Sequence, residues 1–349
     1  MEMPELSDKE LDRYSRNIAL EFMGYEGQKK LRKSKVCIVG LGGLGCSVAV
    51  QLARLGIGFL RLVDMDIVEV SNLHRQVLYD MNDIGYPKVD AAKKRILEIN
   101  PDIEVEVFSD FLDASNVDEV VKGVDVVVDG LDSLATRYTL NAACIKFGIP
   151  FVFASAIESY GNVYTMIPGE TACLECFYGG VEEEDLPGCA QVGVFLPSLM
   201  AITGIETSEA VRVILEKPLL LKGRLLYVDF TDMSFREIDI VRNESCPVCS
   251  VSPEEIAFKV RKDVKVLETC SRDMKNVFVI IPAKNKSGDF QRLKEKIGSS
   301  FKIIVDSQSG ITFHYNEDTQ VSLLSSGIGV IKTSMMKEGS LELFRKFVG

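Results

Sequence analysis

The sequence predicts an α/β fold: a Rossmann-like, doubly wound sheet with a zinc-clipped extension, followed by a small α+β domain. Buried-strand runs alternate with helical stretches over the first 150 residues, and a Gly40-Leu41-Gly42-Gly43-Leu44-Gly45 turn directly follows the first of those strands. The charge balance also changes sign along the chain. Residues 1–250 hold 24 basic and 39 acidic residues, whereas 251–349 hold 16 and 12, so the domain boundary is placed near residue 250.

The elements follow in order. Ser7-Asp8-Lys9-Glu10 has the form of a capping box and predicts a helix running to about Ala19, with a second short helix over 26–32. Lys35–Val39 is a buried-strand pattern, the glycine turn follows, and 47–55 continues as a helix that Gly56 ends. A strand over 59–64 comes next. Pro87 stands where the first residue of a helix would, opening a helix through Ile99, and 103–108 alternates as a strand. Residues 125–129 form a buried strand, 133–147 a helix and 150–156 another strand. A long helix over 196–215 and paired strands over 224–230 and 235–241 complete the first unit. The last hundred residues predict a strand at 277–281, a helix at 289–297, three short strands through Ile331 and a closing helix at 341–347.

Composition excludes several classes of function. The 349 residues carry a net charge of −11, 46% hydrophobic residues, nine Cys, two His and no Trp. The longest apolar run, near 194–205, is broken by Pro197, Ser198 and Thr203 and falls short of the roughly 18–20 residues that a bilayer span needs. The acidic amino terminus lacks the basic and apolar regions of a signal peptide, which places the chain in the cytoplasm. An acidic balance also argues against a nucleic-acid partner. In a reducing compartment, nine Cys in so long a chain point to metal or thiol chemistry instead of a disulfide scaffold.

A glycine turn between strand and helix presents backbone amides and a helix dipole to phosphate. Asp64 closes the next strand 19 residues beyond Gly45, near the distance at which an acidic residue meets ribose hydroxyls. The turn alone fits NAD, FAD or ATP, so the choice rests on charges that a reacting triphosphate requires. Arg75 and Lys88 are placed to neutralise developing phosphate charge, and Asp132 with Asp66 to hold Mg²⁺ through oxygen ligands. The alternative is an NAD(P)-binding oxidoreductase or a nucleotide-sensing module. His74 and His314 are the only histidines, and neither suits proton transfer in a dehydrogenase: His74 lines or caps its helix, and His314 is a structural residue in a tail strand.

The ordered set Arg13-Tyr-Ser-Arg16-Asn-Ile18, Gly-Leu-Gly-Gly-Leu-Gly-Cys46, Asp64-Met-Asp66, Ser71-Asn-Leu-His-Arg-Gln76, Gly85-Tyr-Pro-Lys88 and Gly130-Leu-Asp132 resembles the MoeB/ThiF/HesA adenylyltransferases, relatives of ubiquitin-activating enzymes. The resemblance covers about residues 5–250. It implies a homodimer that binds ATP·Mg²⁺ and adenylates the C-terminal glycine of a small ubiquitin-like or sulfur-carrier protein ending in Gly-Gly, releasing pyrophosphate. Carried over by position, Asp64 meets the ribose, Asn72, Arg75 and Lys88 the phosphates, and Asp132 the metal. Gly40, Gly42, Gly43, Asp66, Ser71, Gln76 and Ser133 complete the nucleotide-binding set. Arg16 becomes an arginine finger that reaches the partner subunit's ATP. Asp132-Ser133 departs from the family's usual Asp-Asn, leaving the metal ligand intact and changing the polar contact beside it.

Cys173-Leu-Glu-Cys176 and Cys246-Pro-Val-Cys249 are two CxxC knuckles separated by 69 residues, which supply four thiolates for tetrahedral Zn²⁺ and clip a long loop. Cys189 falls on a loop after the acidic run 182–185, where a substrate can reach it. In the family that loop can carry a cysteine forming a thioester or persulfide with the carrier. Cys37, Cys46 and Cys144 read as core residues. The basic balance of 251–349 fits either a docking module for a carrier or partner, or a purely stabilising domain.

Overall fold

The computed structural model describes residues 5–181, 192–258, 261, 263–270, 275–283 and 290–348. Its first sheet is built from β1 (Lys35–Val39), β2 (Phe59–Val63), β3 (Glu104–Phe108), β4 (Val126–Asp129), β5 (Phe151–Ile157), β6 (Tyr160–Met166), β7 (Arg224–Asp229) and β8 (Ser234–Asp239), in the spatial order β3-β2-β1-β4-β5-β6-β7-β8. Strands β3 to β5 in that order run parallel, and β6, β7 and β8 add antiparallel. The chain goes to one side of β1 for β2 and to the other for β4, so a crevice opens at the carboxyl ends of β1 and β4, where open sheets of this kind bind ligands.

Helices cover both faces. The α1 (Asp8–Arg13), α2 (Ser15–Ile18) and α3 (Gly24–Lys33) segments precede the sheet, and α4 (Gly43–Leu55), α5 (Lys88–Ile99), α6 (Val117–Val121), α7 (Leu134–Phe147), α8 (Leu174–Tyr178) and α9 (Leu196–Ile214) follow in turn. Val36, Ile38, Val126 and Val128 pack on the face that α4 and α9 cover, while Cys37, Val39 and Val127 pack beneath α7. The strict alternation of those β1 and β4 side chains between two cores is what buries Val36–Val39 and the whole of β4.

A second, antiparallel sheet comprises β9 (Lys265–Cys270), β10 (Asn276–Ile281), β11 (Lys302–Asp306), β12 (Gly310–His314), β13 (Gln320–Leu324) and β14 (Gly329–Thr333), in the order β11-β12-β13-β14-β10-β9. Two helices, α10 (Phe290–Gly298) and α11 (Lys337–Val348), accompany it. Phe278, Ile280, Ile311, Phe313, Val321 and Ile331 share a core with Ile297 of α10 and with Leu343 and Phe344 of α11.

Several boundaries differ from the sequence expectation. The first helix breaks at Tyr14, whose ring is buried against Gly56 and whose hydroxyl accepts a hydrogen bond from Asn100 Nδ2 at 2.8 Å; anchoring that ring turns the chain between α1 and α2. Helix α4 starts at Gly43, four residues earlier than expected, because its glycines are needed for close approach and not as a loop. A Cβ on Gly45 would lie 1.8 Å from the Gly40 carbonyl oxygen. Pro87 precedes α5 in extended conformation, pairing with Ile67 across an isolated bridge. Strands β6 and β9 and helices α6 and α8 are additions. The Gly161 and Asn162 of β6 and its turn through Glu158 masked a hairpin that register with β5 makes plain. The tail has four short strands through Thr333, not three, and its last helix begins at Lys337.

Replacing Gly45 by Ala is expected to destabilise the protein by about 3 kcal/mol, although alanine is worth roughly 1 kcal/mol over glycine in a helix interior. A denaturant midpoint equal to or above that of the parent would contradict this account of the turn.

Candidate active site

The glycine turn is held by backbone, not by side chains. Gly40 sits at φ 92°, and a Cβ there would meet the Gly130 carbonyl oxygen at 2.4 Å; one on Gly130 would meet the Gly40 oxygen at 2.1 Å. A Cβ on Gly43 would strike Leu199 of α9 at 2.5 Å. Gly42, the N-cap of α4, is different. Its nearest neighbour to such a Cβ is the Gly130 oxygen, 3.7 Å away, so protein packing does not exclude a side chain there. The open space above Gly42 lies at the amide-bearing end of a helix of 13 residues, where a phosphate is favoured.

Charged groups surround that end. Asp64, just past β2, accepts hydrogen bonds from the Leu41 amide (2.6 Å) and the Asp66 amide (2.7 Å), which ties the acidic residue to the glycine turn. Burial pushes its carboxyl up, to about 6, against the downward pull of Lys88 and those amides. Lys88, the first residue of α5 and itself buried, donates to Asp66 Oδ2 at 2.8 Å. Burial opposes its charge, yet Asp64, Asp66 and Asp132 together raise its pKa above the ordinary lysine value. Lys88 is therefore a fixed, fully charged cation.

A 3₁₀ turn, Val70–Asn72, presents the next group. Asn72 Oδ1 accepts from the Glu69 amide at 3.0 Å, Ser71 donates to Glu69 Oε2 at 3.4 Å, and Arg75 Nη1 donates to the Ser71 carbonyl at 3.1 Å. The Arg75 methylenes lie 3.6 Å from the Cβ position of Gly43, so its guanidinium stem crosses the start of α4. Gln76 is buried, with Oε1 lacking a hydrogen-bond partner among the described residues. The open glycine cradle with two cations near it fits a nucleotide polyphosphate, whose oxygens accept from backbone amides and cationic side chains.

Asp132 is exposed just past β4, and Ser133 caps α7 by accepting from the Thr136 amide at 3.5 Å. The loop between them and the sheet is clamped by two residues that the sequence reading passed over. Asp129 accepts from the Leu131 amide (2.8 Å) and from Arg137 Nε (2.8 Å), while Arg137 Nη2 donates to the carbonyls of Leu131 (2.5 Å) and Ala154 (3.0 Å). An Asp ending a buried strand with an Arg in the first turn of the next helix was the available signal.

Arg16 does not join this group. It is exposed on α2, whose neighbour Asn17 donates to the Leu55 carbonyl at the far end of α4, about 20 Å along the helix axis from the glycine turn. His74, exposed, sits with Nδ1 3.0 Å from the Ser71 carbonyl, and His314 is exposed on β12. Cys189 lies outside the described residues.

The four knuckle cysteines do come together. Cys173 and Cys246 sulfurs are 3.7 Å apart, those of Cys176 and Cys249 3.5 Å, and all four lie within 4.8 Å of one another. Tetrahedral Zn²⁺ with bonds of about 2.3 Å requires sulfur separations of about 3.8 Å, so this cluster could hold zinc. Backbone amides of Asn243, Val248 and Cys249 donate to Cys176 or Cys246 sulfur at 3.5 Å, the outer support that thiolate ligands need. Cys37, Cys46 and Cys144 are fully buried, and burial pushes the thiols of the first two up to about 12. No helix among the described residues is long and apolar enough to cross a membrane.

Comparison with known proteins places this arrangement. The SAMP-activating enzyme E1 of Haloferax volcanii is 39% identical over 269 residues, spanning 76% of this chain and 97% of that protein. The molybdopterin-synthase adenylyltransferase of Escherichia coli is 36% identical over 251 residues, 71% of this chain and 99% of the relative. Among solved structures, E. coli MccB with ATP superposes with a TM-score of 0.61 at 26% identity, covering 68% of this chain and 75% of MccB. A reacting triphosphate is thereby favoured over the dinucleotide alternative. The ThiF family pattern matches residues 14–248, and the chain belongs to the ThiF family.

Proposed function

We propose that the protein adenylates the C-terminal glycine of a small ubiquitin-like or sulfur-carrier protein ending in Gly-Gly, in the cytoplasm and as a homodimer. The observation that carries this reading is the open cradle over Gly42, with the Arg75 stem crossing the start of α4 and with Lys88, paired to Asp66, within electrostatic reach of Asp64 and Asp132. A carboxylate attacking a phosphorus already surrounded by anionic oxygens meets like-charge repulsion. Fixed cations lower that barrier only if they stand where charge develops. The carrier carboxylate oxygen bonds to the α-phosphorus, the bond to the bridging oxygen breaks, and pyrophosphate departs with the electron pair. Lys88, Arg75 and Asn72 hold the phosphates in line, Asp64 holds the ribose, and Gly40, Gly42, Gly43, Ser71, Gln76 and Ser133 shape the remainder of the pocket. Asp132 with Asp66 would hold Mg²⁺, which when bound would supply charge neutralisation on the departing pyrophosphate. Arg16, remote from the cradle of its own chain, serves the ATP of a second subunit.

The sulfur of Cys189 then displaces AMP from the acyl carbon, giving a thioester, or an acyl disulfide where the cysteine carries a persulfide. The four cysteines would hold Zn²⁺, which would tie the segment after β6 to the segment after β8.

ATP–pyrophosphate exchange with carriers ending in Gly-Gly tests the reaction. Carrier-dependent exchange is expected, and Asp132→Ala and Arg16→Ala should each lower it by about a hundredfold or more with the fold intact. Full activity in either variant removes that residue from the mechanism, and no exchange with any carrier removes the function. Intact-mass measurement without reductant should show a carrier adduct in the parent that Cys189→Ala lacks. The purified protein should contain about one zinc per chain, and stripping it, or changing Cys246→Ser, should lower the melting temperature. Metal-free protein that melts unchanged would argue against the clip.

A further inference from the structure

The second sheet lies beyond residue 248, where the family match ends, yet it is packed onto the segments that carry the cations of the site. Antiparallel sheets with helices on one face commonly leave the other to water. This one does not. Val277, Val279 and Ile281 of β10, with Leu324, Ile328 and Val330, form a second apolar layer that buries Ile67 and packs against Met65 and Phe111 of the first unit. Met65 and Ile67 flank Asp66, so the sheet closes over the segment bearing that acid.

Behind this layer is a short ladder that fixes Asp66 and Lys88 relative to each other. The Val68 amide donates to the Tyr86 carbonyl (2.8 Å), the Gly85 amide to the Val68 carbonyl (2.9 Å) and the Lys88 amide to the Asp66 carbonyl (2.9 Å), around the Ile67–Pro87 bridge. Its outer side is bonded to the second sheet. The Ser309 amide and hydroxyl donate to the two carboxylate oxygens of Asp90 at 2.8 and 2.7 Å, in the first turn of α5 and two residues from Lys88. Thr312 Oγ1 donates to the Gly85 carbonyl at 2.7 Å. Contact is close enough that a Cβ on Gly310 would stand 2.7 Å from Pro87 Cγ. Farther along, burial and the Asp66 charge raise the Glu69 carboxyl above its ordinary value, and the charge of Lys332 on β14 opposes that rise.

We propose that the second sheet is a fixed wall of the nucleotide site and that Ser309 and Thr312 are positioning residues, holding Lys88 at the phosphates through Asp90 and Gly85. The inference rests on the ATP-site reading above. Neither residue touches the nucleotide. Ser309 satisfies both oxygens of a carboxylate that would otherwise compete for nearby donors, and Thr312 satisfies a carbonyl that the apolar layer shields from water. The consequence is that the ladder, and with it the Asp66–Lys88 register, requires residues 303–333 to be folded against it.

The test uses the full chain, measuring ATP·Mg²⁺ binding by calorimetry, by the rise in melting temperature and by the KM for ATP in exchange. Ser309→Ala is expected to raise Kd and KM for ATP about tenfold while the exchange rate at saturating ATP changes less, with melting without nucleotide close to the parent. Asp90→Asn, milder and serving if Ser309→Ala fails to fold, should weaken ATP in the same direction, and the double variant should be no worse than the more affected single one. A folded variant that binds ATP with parental affinity, or effects of the two changes that multiply, overturns the positioning role and leaves the adenylation reading standing. A parent chain that binds no ATP·Mg²⁺ overturns both.

Discussion

The site depends on one backbone contact. Where β1 ends and α4 begins, the Gly40 carbonyl faces both Gly45 and Gly130 at separations that admit no Cβ on any of the three. That contact brings the amide end of α4 against the loop after β4, so the glycine turn and the loop bearing Asp132 are one piece of structure. A side chain at any of these positions separates the two halves of the site before it touches a ligand. Gly42 escapes this constraint: packing within the protein would admit a side chain there.

The legibility of the protein in its sequence follows the same division between local and long-range causes. Capping at Ser7, the buried runs of β1 and β4 and the αL glycine ending α4 are local, and all three are visible in the chain as written. The knuckle cysteines were legible because metal chemistry imposes a spacing on sequence. Tyr14 was not, because the break there depends on Asn100 and Gly56, far along the chain. The Asp129–Arg137 clamp left only a weak signal, an acid ending a buried strand ahead of an arginine in the next helix, and such an arginine reads as surface charge until the strand end is brought beside it. The apposition of the two sheets had no sequence signal at all: Ser309 and Asp90 are 219 residues apart.

Electrostatics of the site without nucleotide are already balanced. A buried lysine without a partner would lower its pKa or stay hydrated, and Asp66 at 2.8 Å prevents both. On the proposed reading, ATP·Mg²⁺ does not create a charged site but exchanges partners within one. The phosphates take over from Asp66 as the counter-charge of Lys88, and the released carboxylate turns to the metal. Each buried charge keeps a partner throughout, so desolvation is not faced anew with each nucleotide.

Such an exchange demands that the backbones carrying Asp66 and Lys88 keep their separation while the two side chains change partners. Side chains alone cannot guarantee this, because both reach the pair from loop-to-element junctions: Asp66 follows β2, and Lys88 opens α5 after a proline in extended conformation. The ladder between residues 66–68 and 85–88 supplies the rigidity, but two short segments bonded to each other and wetted on their outer side would open locally at little cost. Covering that side with an apolar sheet removes the competing water, and seating Asp90 on two donors of Ser309 fixes the first turn of α5. A domain of about a hundred residues beyond the family's own span thereby stabilises a pair of groups within it, which requires no contact with substrate.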